Sequence, residues 1–137
     1  MGAVLIGQNV RNLRPGVHGS TFGGNPLACA ASLAAMDVLE QDHLPERAAE
    51  LGAWFKNELA QIQSPLIREV RGLGLMVGIE LKQKVTPYLQ ALMAKGVMAL
   101  PAGLTVMRFL PPLVINKDEL SQVVAAVKEV LTHEPRS

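Results

Sequence analysis

The chain has 137 residues, 49% of them hydrophobic, which suits one domain, or one domain with part of another, around a real core. Its 13 lysines and arginines nearly balance its 12 aspartates and glutamates, so the charge favours neither nucleic acid as a partner nor a solvating acidic tail. The only cysteine, Cys29, excludes an internal disulfide and fits a reducing, cytoplasmic compartment.

The opening residues, MGAVLIG, are apolar, but they lack the features of a signal peptide and are too short to span a bilayer, so we expect no membrane association. Such a run is typical of a strand covered on both faces. Because such a strand needs neighbours, we expect that the chain has lost a preceding segment. Residues 8–24 are rich in Gly, Pro, Asn and Ser, which predicts a loop.

Two helices are predicted next. Asn25 can cap a helix that has Pro26 in its first turn and continues to about Gln41, and its many alanines lead us to expect a largely buried helix. The second begins near Leu44 and ends before Ser64, with apolar residues at helical spacing.

The remaining sequence predicts two pairs of strands, each pair followed by one helix. Two branched runs around Gly72 and Gly74 indicate strands that meet at a tight turn, and the following helix ends at Gly96. Two further short strands precede a last helix, where Asn116 and Glu119 match a reciprocal cap. The predicted order is helix, helix, strand, strand, helix, strand, strand, helix, an α/β or α+β module with helices packed on a small sheet. Residues 25–137 make up this module.

The stretch HGSTFGGNP is the strongest candidate for a binding site. Ser20 and Thr21 place two hydroxyls just before a helix amino terminus, where free N–H groups and the helix dipole favour an anion such as phosphate. As an alternative, both are turn residues that satisfy local backbone. The stretch matches neither the phosphate loop with its lysine nor the dinucleotide fingerprint.

At greater length the sequence resembles class III, fold type I pyridoxal-phosphate aminotransferases, of which acetylornithine, ornithine and lysine-biosynthetic aminotransferases are members. The resemblance is carried, in the family's order, by GVHGSTFGGNPLACAASLAAMDVLE, IREVRGLGLMVGIEL, KGVMALPAG and VMRFLPPLVINKDEL. It implies that residues 1–24 are a remnant of the large cofactor-binding domain and residues 25–137 a linking helix with the carboxyl-terminal small domain. Within the family, the resemblance favours the acetylornithine type and the type of carrier-protein lysine biosynthesis.

The resemblance also implies site residues. Thr21 would contact the phosphate of pyridoxal phosphate in the neighbouring subunit of a homodimer, and Ser20 would lie near the same cofactor and the substrate. Arg108, before the F-x-P-P motif, would bind a substrate carboxylate, a task that suits a bidentate guanidinium. The alternative for Arg108 is an ion pair with a buried carboxylate or a contact with a helix end.

Other reactive side chains have simpler interpretations, and we expect no metal site. Arg71 is interpreted as structural, His18 as a loop-packing residue, and Cys29 as core. We expect His43 and His133 on the surface. Leu75 and Met76 are expected in the core, as part of a strand.

The family's Schiff-base lysine lies upstream of the segment that begins here with Met1, so no catalytic residue is assigned in this chain. We expect the parent enzyme to move an amino group between glutamate and an ω-aldehyde intermediate in arginine or lysine biosynthesis. The intermediate is of the acetylornithine type or is carrier-bound aminoadipate semialdehyde. We expect the isolated chain to be inactive. The alternative is a non-catalytic docking or assembly module; a semialdehyde aminomutase or ω-amino acid transaminase is a weaker rival.

Overall fold

A computed structural model describes residues 2, 4–10, 16 and 19–132. The chain divides into two compact units, Met1–Asp42 and His43–Ser137. Helices and strands follow the predicted order: α1 (Pro26–Gln41), α2 (Leu44–Ala60), β1 (Ile67–Leu73), β2 (Met76–Leu81), α3 (Thr86–Ala94), β3 (Leu100–Ala102), β4 (Val106–Phe109) and α4 (Lys117–Thr132). Within the described ranges, each helix is either too short or too polar to cross a bilayer.

The first unit contains α1, which begins as predicted. The side-chain Oδ1 of Asn25 accepts a hydrogen bond of 2.9 Å from the Ala28 N–H, and Pro26 lies in the first turn. The expectation that α1 is largely buried is wrong, because none of its residues is buried. Its apolar side chains lie on several sides of the helix, and no neighbour covers all of them.

The prediction of a buried opening strand is also wrong for the residues that the structure describes. Residues 4–7 have no regular secondary structure, and Val4 and Leu5 are 88% and 98% exposed. A strand requires a partner for its N–H and C=O groups, and no described segment of this unit pairs with these residues. Met1 and Ala3 of the predicted strand lie outside the described residues.

The second unit is built on a four-stranded antiparallel sheet with strand order β1-β2-β4-β3. The predicted turn between β1 and β2 is present, with Gly74 in the left-handed region at φ 53°. Helix α2 approaches this turn closely at Gly52, where an added Cβ would lie 2.0 Å from the Gly74 carbonyl oxygen. Glycine at position 52 is therefore needed for the contact between α2 and the β1–β2 turn.

The core lies on one face of the sheet. Strands β2 and β4 direct alternate residues toward the helices, as the period of a half-covered strand requires. Phe55 of α2 contacts Phe109 of β4 edge to face, with ring centroids 5.9 Å apart. The fully buried side chains include Phe55, Leu59, Val77, Ile79, Leu81, Leu92, Met107, Leu120 and Val127.

The opposite face of the sheet is less covered. Met76 and Glu80 of β2 and Leu100 of β3 lie on this face and remain at least partly exposed. The prediction that Leu75 and Met76 belong to the core is right for Leu75, which is 4% exposed, and wrong for Met76, which is 54% exposed. Met76 begins β2 with its side chain on the face away from the helices.

The ends of the last two helices follow the sequence signals. Gly96 has φ 78°, the left-handed conformation expected after a helix terminus. At α4, the Glu119 N–H donates to Asn116 Oδ1 over 2.8 Å, and the Asn116 N–H donates to Glu119 Oε2 over 2.9 Å. This reciprocal cap satisfies backbone donors at the helix start, as predicted.

Candidate functional site

Ser20 and Thr21 lie in the turn that leads into α1. The turn is closed by a 3.0 Å hydrogen bond from the Gly23 N–H to the Ser20 carbonyl oxygen. Both side chains are exposed, and neither hydroxyl is hydrogen-bonded to another described residue. The hydroxyls therefore do not satisfy the local backbone of the described residues, which was the alternative interpretation, and they are open to a ligand.

Asn25 links this turn to the helix. Its Nδ2 donates to the Phe22 carbonyl oxygen over 2.9 Å, while its Oδ1 caps α1. One side chain thus fixes both the turn that carries the hydroxyls and the amino terminus behind it. The partial positive charge of a helix amino terminus favours an anion at this place.

Arg108 is in the middle of β4. It pairs with Gly78 on β2 and with Leu100 on β3. Its Nε is buried without a hydrogen-bond partner, and no ion pair joins it to a residue in the described part of the chain. The alternative of an ion pair with a buried carboxylate therefore finds no support among those residues. A buried donor without a partner costs about 1–3 kcal/mol, a cost that a bound acceptor would remove.

A cavity of about 330 Å³ in the second unit includes Arg108 in its lining. The rest of the lining is almost entirely apolar, with Met98, Leu110, Pro111 and Ile115 among its members. An apolar pocket with one cationic group suits a ligand with a hydrocarbon chain and a carboxylate. Arg108 is the cationic side chain among the described residues of this lining.

Arg71 lies in an ion-pair cluster on β1 and β2. Its Nη1 is 2.7 Å from Glu69 Oε2 and 2.7 Å from Glu80 Oε2, and Arg68 Nη1 is 3.1 Å from Glu80 Oε1. The hydrogen bond from Arg71 lowers the pKa of the Glu80 carboxyl below its ordinary value, and the same bond raises the pKa of Arg71. Sequence reasoning assigned no role to Glu80, because the alternation in MVGIEL predicts its face but not its partners.

The predicted site residues belong to different units. Ser20 and Thr21 are in the first unit, and Arg108 is in the second. Their assigned roles stay predictions. Of the other candidates, His43 is exposed as expected, Cys29 is partly buried, and His18 and His133 lie outside the described residues.

The lysines belong to the second unit. Residues 1–42 contain none, and the six lysines of the chain are Lys56, Lys82, Lys84, Lys95, Lys117 and Lys128. Lys95 pairs with Glu129 over 2.5 Å, and the Lys117 Nζ lies 5.0 Å from the centre of the Trp54 ring. Within the described residues, no lysine lines the cavity beside Arg108.

Curated relatives share about half of their residues with this chain over the aligned region. Ornithine aminotransferase from Exiguobacterium sp. is 53% identical over 117 residues, and that from Bacillus subtilis is 50% identical over 117 residues. Each alignment covers 85% of this chain and 29% of the relative. The chain therefore spans less than a third of the length of these relatives.

Solved structures give the same result for the fold. An ornithine aminotransferase from Toxoplasma gondii matches with a TM-score of 0.80 at 38% identity, covering 88% of this chain and 30% of that chain. An acetylornithine aminotransferase from Elizabethkingia anophelis matches with a TM-score of 0.80 at 38% identity, covering 88% of this chain and 33% of that chain. The profile of the family described as Aminotransferase class-III matches residues 2–131. The chain belongs to the class III aminotransferase family, whose members depend on pyridoxal phosphate.

Proposed function

We propose that this chain forms the carboxyl-terminal part of a pyridoxal-phosphate aminotransferase that moves the terminal amino group of ornithine or acetylornithine to 2-oxoglutarate, yielding glutamate. Residues 1–24 belong to the large cofactor-binding domain in this proposal, and residues 25–137 are the linking helix and the small domain. The enzyme acts in the cytoplasm, in arginine biosynthesis or the related use of ornithine. Family membership supports the reaction class, and the names of the relatives support the substrate class.

The observation that carries the substrate proposal is the unpartnered Nε of Arg108 beside an apolar cavity. Both 2-oxoglutarate and the amino donors carry a carboxylate at one end of a short carbon chain. A guanidinium binds a carboxylate with two parallel hydrogen bonds, which fixes the direction in which the carbon chain extends. Arg108 thus orients the substrate so that its other end meets the cofactor.

The cofactor proposal depends on the turn before α1. The free hydroxyls of Ser20 and Thr21 and the amino terminus of α1 fit a phosphate group. Thr21 would bind the phosphate of the cofactor in the neighbouring subunit of a homodimer, and Ser20 would lie between that cofactor and the substrate. The chemistry that pyridoxal phosphate supplies in this family is acceptance of the amino group on its carbonyl carbon.

The lysine that holds the cofactor is assigned to the large domain and not to any lysine of this chain. None of the six occurs in residues 1–42, the unit that carries the phosphate-binding turn. We therefore propose that the isolated chain has no transaminase activity. Pyridoxal phosphate followed by borohydride should give no stoichiometric adduct at a single lysine by mass spectrometry. A single adduct with turnover would overturn this assignment.

A chimera tests the reaction class. The matched 117-residue segment of Bacillus subtilis ornithine aminotransferase is replaced by this chain, and transamination of ornithine and of acetylornithine with 2-oxoglutarate is measured. We expect activity with at least one of these donors. A folded dimer that binds pyridoxal phosphate but is inactive with both would contradict the proposal. Activity only in a separate assay, with glutamate as the amino donor and carrier-bound aminoadipate semialdehyde as the acceptor, would move the enzyme to lysine biosynthesis.

Variants of the chimera test the two sites. Arg108→Gln should raise the KM for 2-oxoglutarate by about 30-fold or more, since removing one partner of a desolvated charge pair costs about 2–5 kcal/mol. Lys82→Gln removes an exposed charge of the same sign and should leave KM unchanged. Thr21→Ala should weaken cofactor binding by about 10- to 100-fold, because a hydrogen bond to a charged group contributes about 1.5–3 kcal/mol. An unchanged cofactor Kd in Thr21→Ala would remove Thr21 from the site.

The alternative is a non-catalytic docking or assembly module. The exposed apolar residues of α1, Leu27 at 82% and Leu33 at 62%, favour it. A chain that binds a full-length class III aminotransferase without changing its turnover, and whose chimera is inactive, would support this second function.

A further inference from the structure

The less covered face of the sheet places two arginines on either side of a glycine. The pairing register aligns Arg71 of β1 with Gly78 of β2, and Gly78 with Arg108 of β4. The three residues form one row across the sheet, so their Cβ positions point to the same face. Because Gly78 has no side chain, β2 places no side chain between the two arginines in this row, although the Val106 Cγ1 of β4 lies 3.2 Å from where a Cβ of residue 78 would be.

Glu80 occupies the next position on the same face of β2. It pairs with Glu69 on β1 and with Val106 on β4, one row away from Gly78. Glu80 is therefore a diagonal neighbour of both Arg71 and Arg108. Diagonal neighbours on one face of an antiparallel pair are about 7–8 Å apart, within the reach of long side chains. The Glu80 carboxylate could therefore pair with Arg71 on one side or with Arg108 on the other.

The structure shows which arginine Glu80 selects. Its Oε2 is 2.7 Å from Arg71 Nη1, and its Oε1 is 3.1 Å from Arg68 Nη1, so both carboxylate oxygens are occupied by residues of β1. The Nε of Arg108 has no hydrogen-bond partner. A carboxylate that turned toward Arg108 would occupy the guanidinium that the proposed function assigns to the substrate.

We propose that Arg71, assisted by Arg68, is a positioning residue that holds the Glu80 carboxylate away from Arg108 and thereby keeps the Arg108 guanidinium available for a substrate carboxylate. The availability of Arg108 for substrate rests on the proposed function, whereas the restraint on Glu80 concerns this chain alone. A glutamate carboxyl is ordinarily charged at neutral pH, so Glu80 would compete with a substrate carboxylate for Arg108 if it were released from Arg71.

A purely structural role explains the cluster less well. The Arg71 and Arg68 side chains are 49% and 60% exposed, whereas Glu80 is 19% exposed. Ion pairs with one end in solvent contribute little to the free energy of unfolding. The cluster therefore matters more for keeping Arg108 unpaired than for the free energy of unfolding.

The experiment is NMR of the 15N-labelled chain, following the Nε–Hε resonance of Arg108, which is assigned by its loss in Arg108→Lys. In Arg71→Gln, we expect this resonance to shift and its exchange with water to slow, because Glu80 now pairs with Arg108. The double variant Arg71→Gln/Glu80→Gln should return the resonance to its original position. Arg71→Lys keeps the charge and should resemble the unmodified chain.

A second readout uses glutarate as a simple dicarboxylate probe. Its dissociation constant, read from the Arg108 resonance, should rise about two- to fivefold in Arg71→Gln, the range expected for competition by an exposed ion pair, and return in the double variant. An Arg108 resonance that does not move in Arg71→Gln would overturn the proposal, whether or not glutarate binds.

Glu80→Gln alone provides a test that does not depend on the stability of Arg71→Gln. If Arg71 and Arg68 hold the carboxylate, this variant should leave the Arg108 resonance unchanged. A shift in Glu80→Gln would show that Glu80 already contacts Arg108, which contradicts the proposal. If glutarate leaves the Arg108 resonance of every variant unmoved while Arg71→Gln alone shifts it, the restraint on Glu80 stands and the carboxylate role of Arg108 fails.

Discussion

The two units of the chain differ in how they distribute apolar side chains. Helix α4 concentrates them in one stripe that contacts the core, and buries Leu120, Val127, Val130 and Leu131. Helix α1 carries apolar residues on several sides and buries none of them. A one-sided helix is satisfied by one sheet face, whereas a helix that is apolar all round needs cover on several sides. The sequence of α1 therefore calls for more apolar neighbours than the described residues of this unit provide.

Core truncation gives the largest expected difference between the units. Phe55→Ala should lower the free energy of unfolding by about 3–5 kcal/mol, because it leaves a cavity under a fully buried ring. Leu33→Ala in α1, at a side chain that is 62% exposed, should change it by about 0.5 kcal/mol or less. Urea unfolding followed by circular dichroism measures both. Equal losses would show that the burial contrast does not control stability.

A steric variant examines the second unit alone. Gly52→Ala gains helix propensity of about 1 kcal/mol but forces a methyl group against the Gly74 backbone. Overpacking commonly costs about 1–3 kcal/mol, so the net effect should be destabilising. The exposed position 49 in the same helix gives the control, since Ala49→Gly has only the propensity cost. A more stable Gly52→Ala protein would mean that the turn moves aside freely.

Helix caps allow a matched comparison, because both units use asparagine. Asn116→Ala should lower the free energy of unfolding by about 1 kcal/mol through loss of the reciprocal cap on α4. Asn25→Ala removes the corresponding cap of α1 and should mainly speed amide exchange in that helix, with a smaller change in the thermal midpoint. A larger midpoint change for Asn25 than for Asn116 would reverse the proposed contrast.

The smallest expected effect comes from the exposed ion pairs. Because the folded-state pKa of Glu80 is lowered, its contribution is present above the unfolded pKa of about 4.3 and is lost as pH falls through the folded value. Carboxyl 13C titration should give a Glu80 midpoint below that value, and a higher midpoint in Arg71→Gln. A midpoint that does not move would mean that Arg71 is not the main cause.

The two units also differ in how well the sequence predicts them, in line with the difference in how their apolar side chains are covered. For residues 43–132, periodicity, the glycine at Gly96 and the Asn116–Glu119 cap predicted elements that the structure confirms, because local signals and packing agree. The opening strand was predicted wrongly, since an apolar run shows a need for cover without showing whether cover is present.

The candidate site was predictable only as a set of residue types. The sequence pointed to Ser20, Thr21 and Arg108 through the motifs around them. The Glu80 pairing required the strand register, because residues nine apart in sequence, Arg71 and Glu80, meet only through hairpin pairing. The exposure of Met76 likewise depended on which face each strand residue takes.

His43 is the N-cap residue of α2 and follows Asp42, the C-cap residue of α1; its φ is 46°. The backbone of His43 is therefore in the left-handed region, where a glycine would be free of strain. A glycine there would also gain freedom in the unfolded chain, which offsets the relief. Histidine at position 43 therefore has a strained backbone in the folded state but a smaller backbone entropy than glycine in the unfolded state. Asparagine tolerates the left-handed region, so His43→Asn would lower the strain and keep most of the restriction on the unfolded chain.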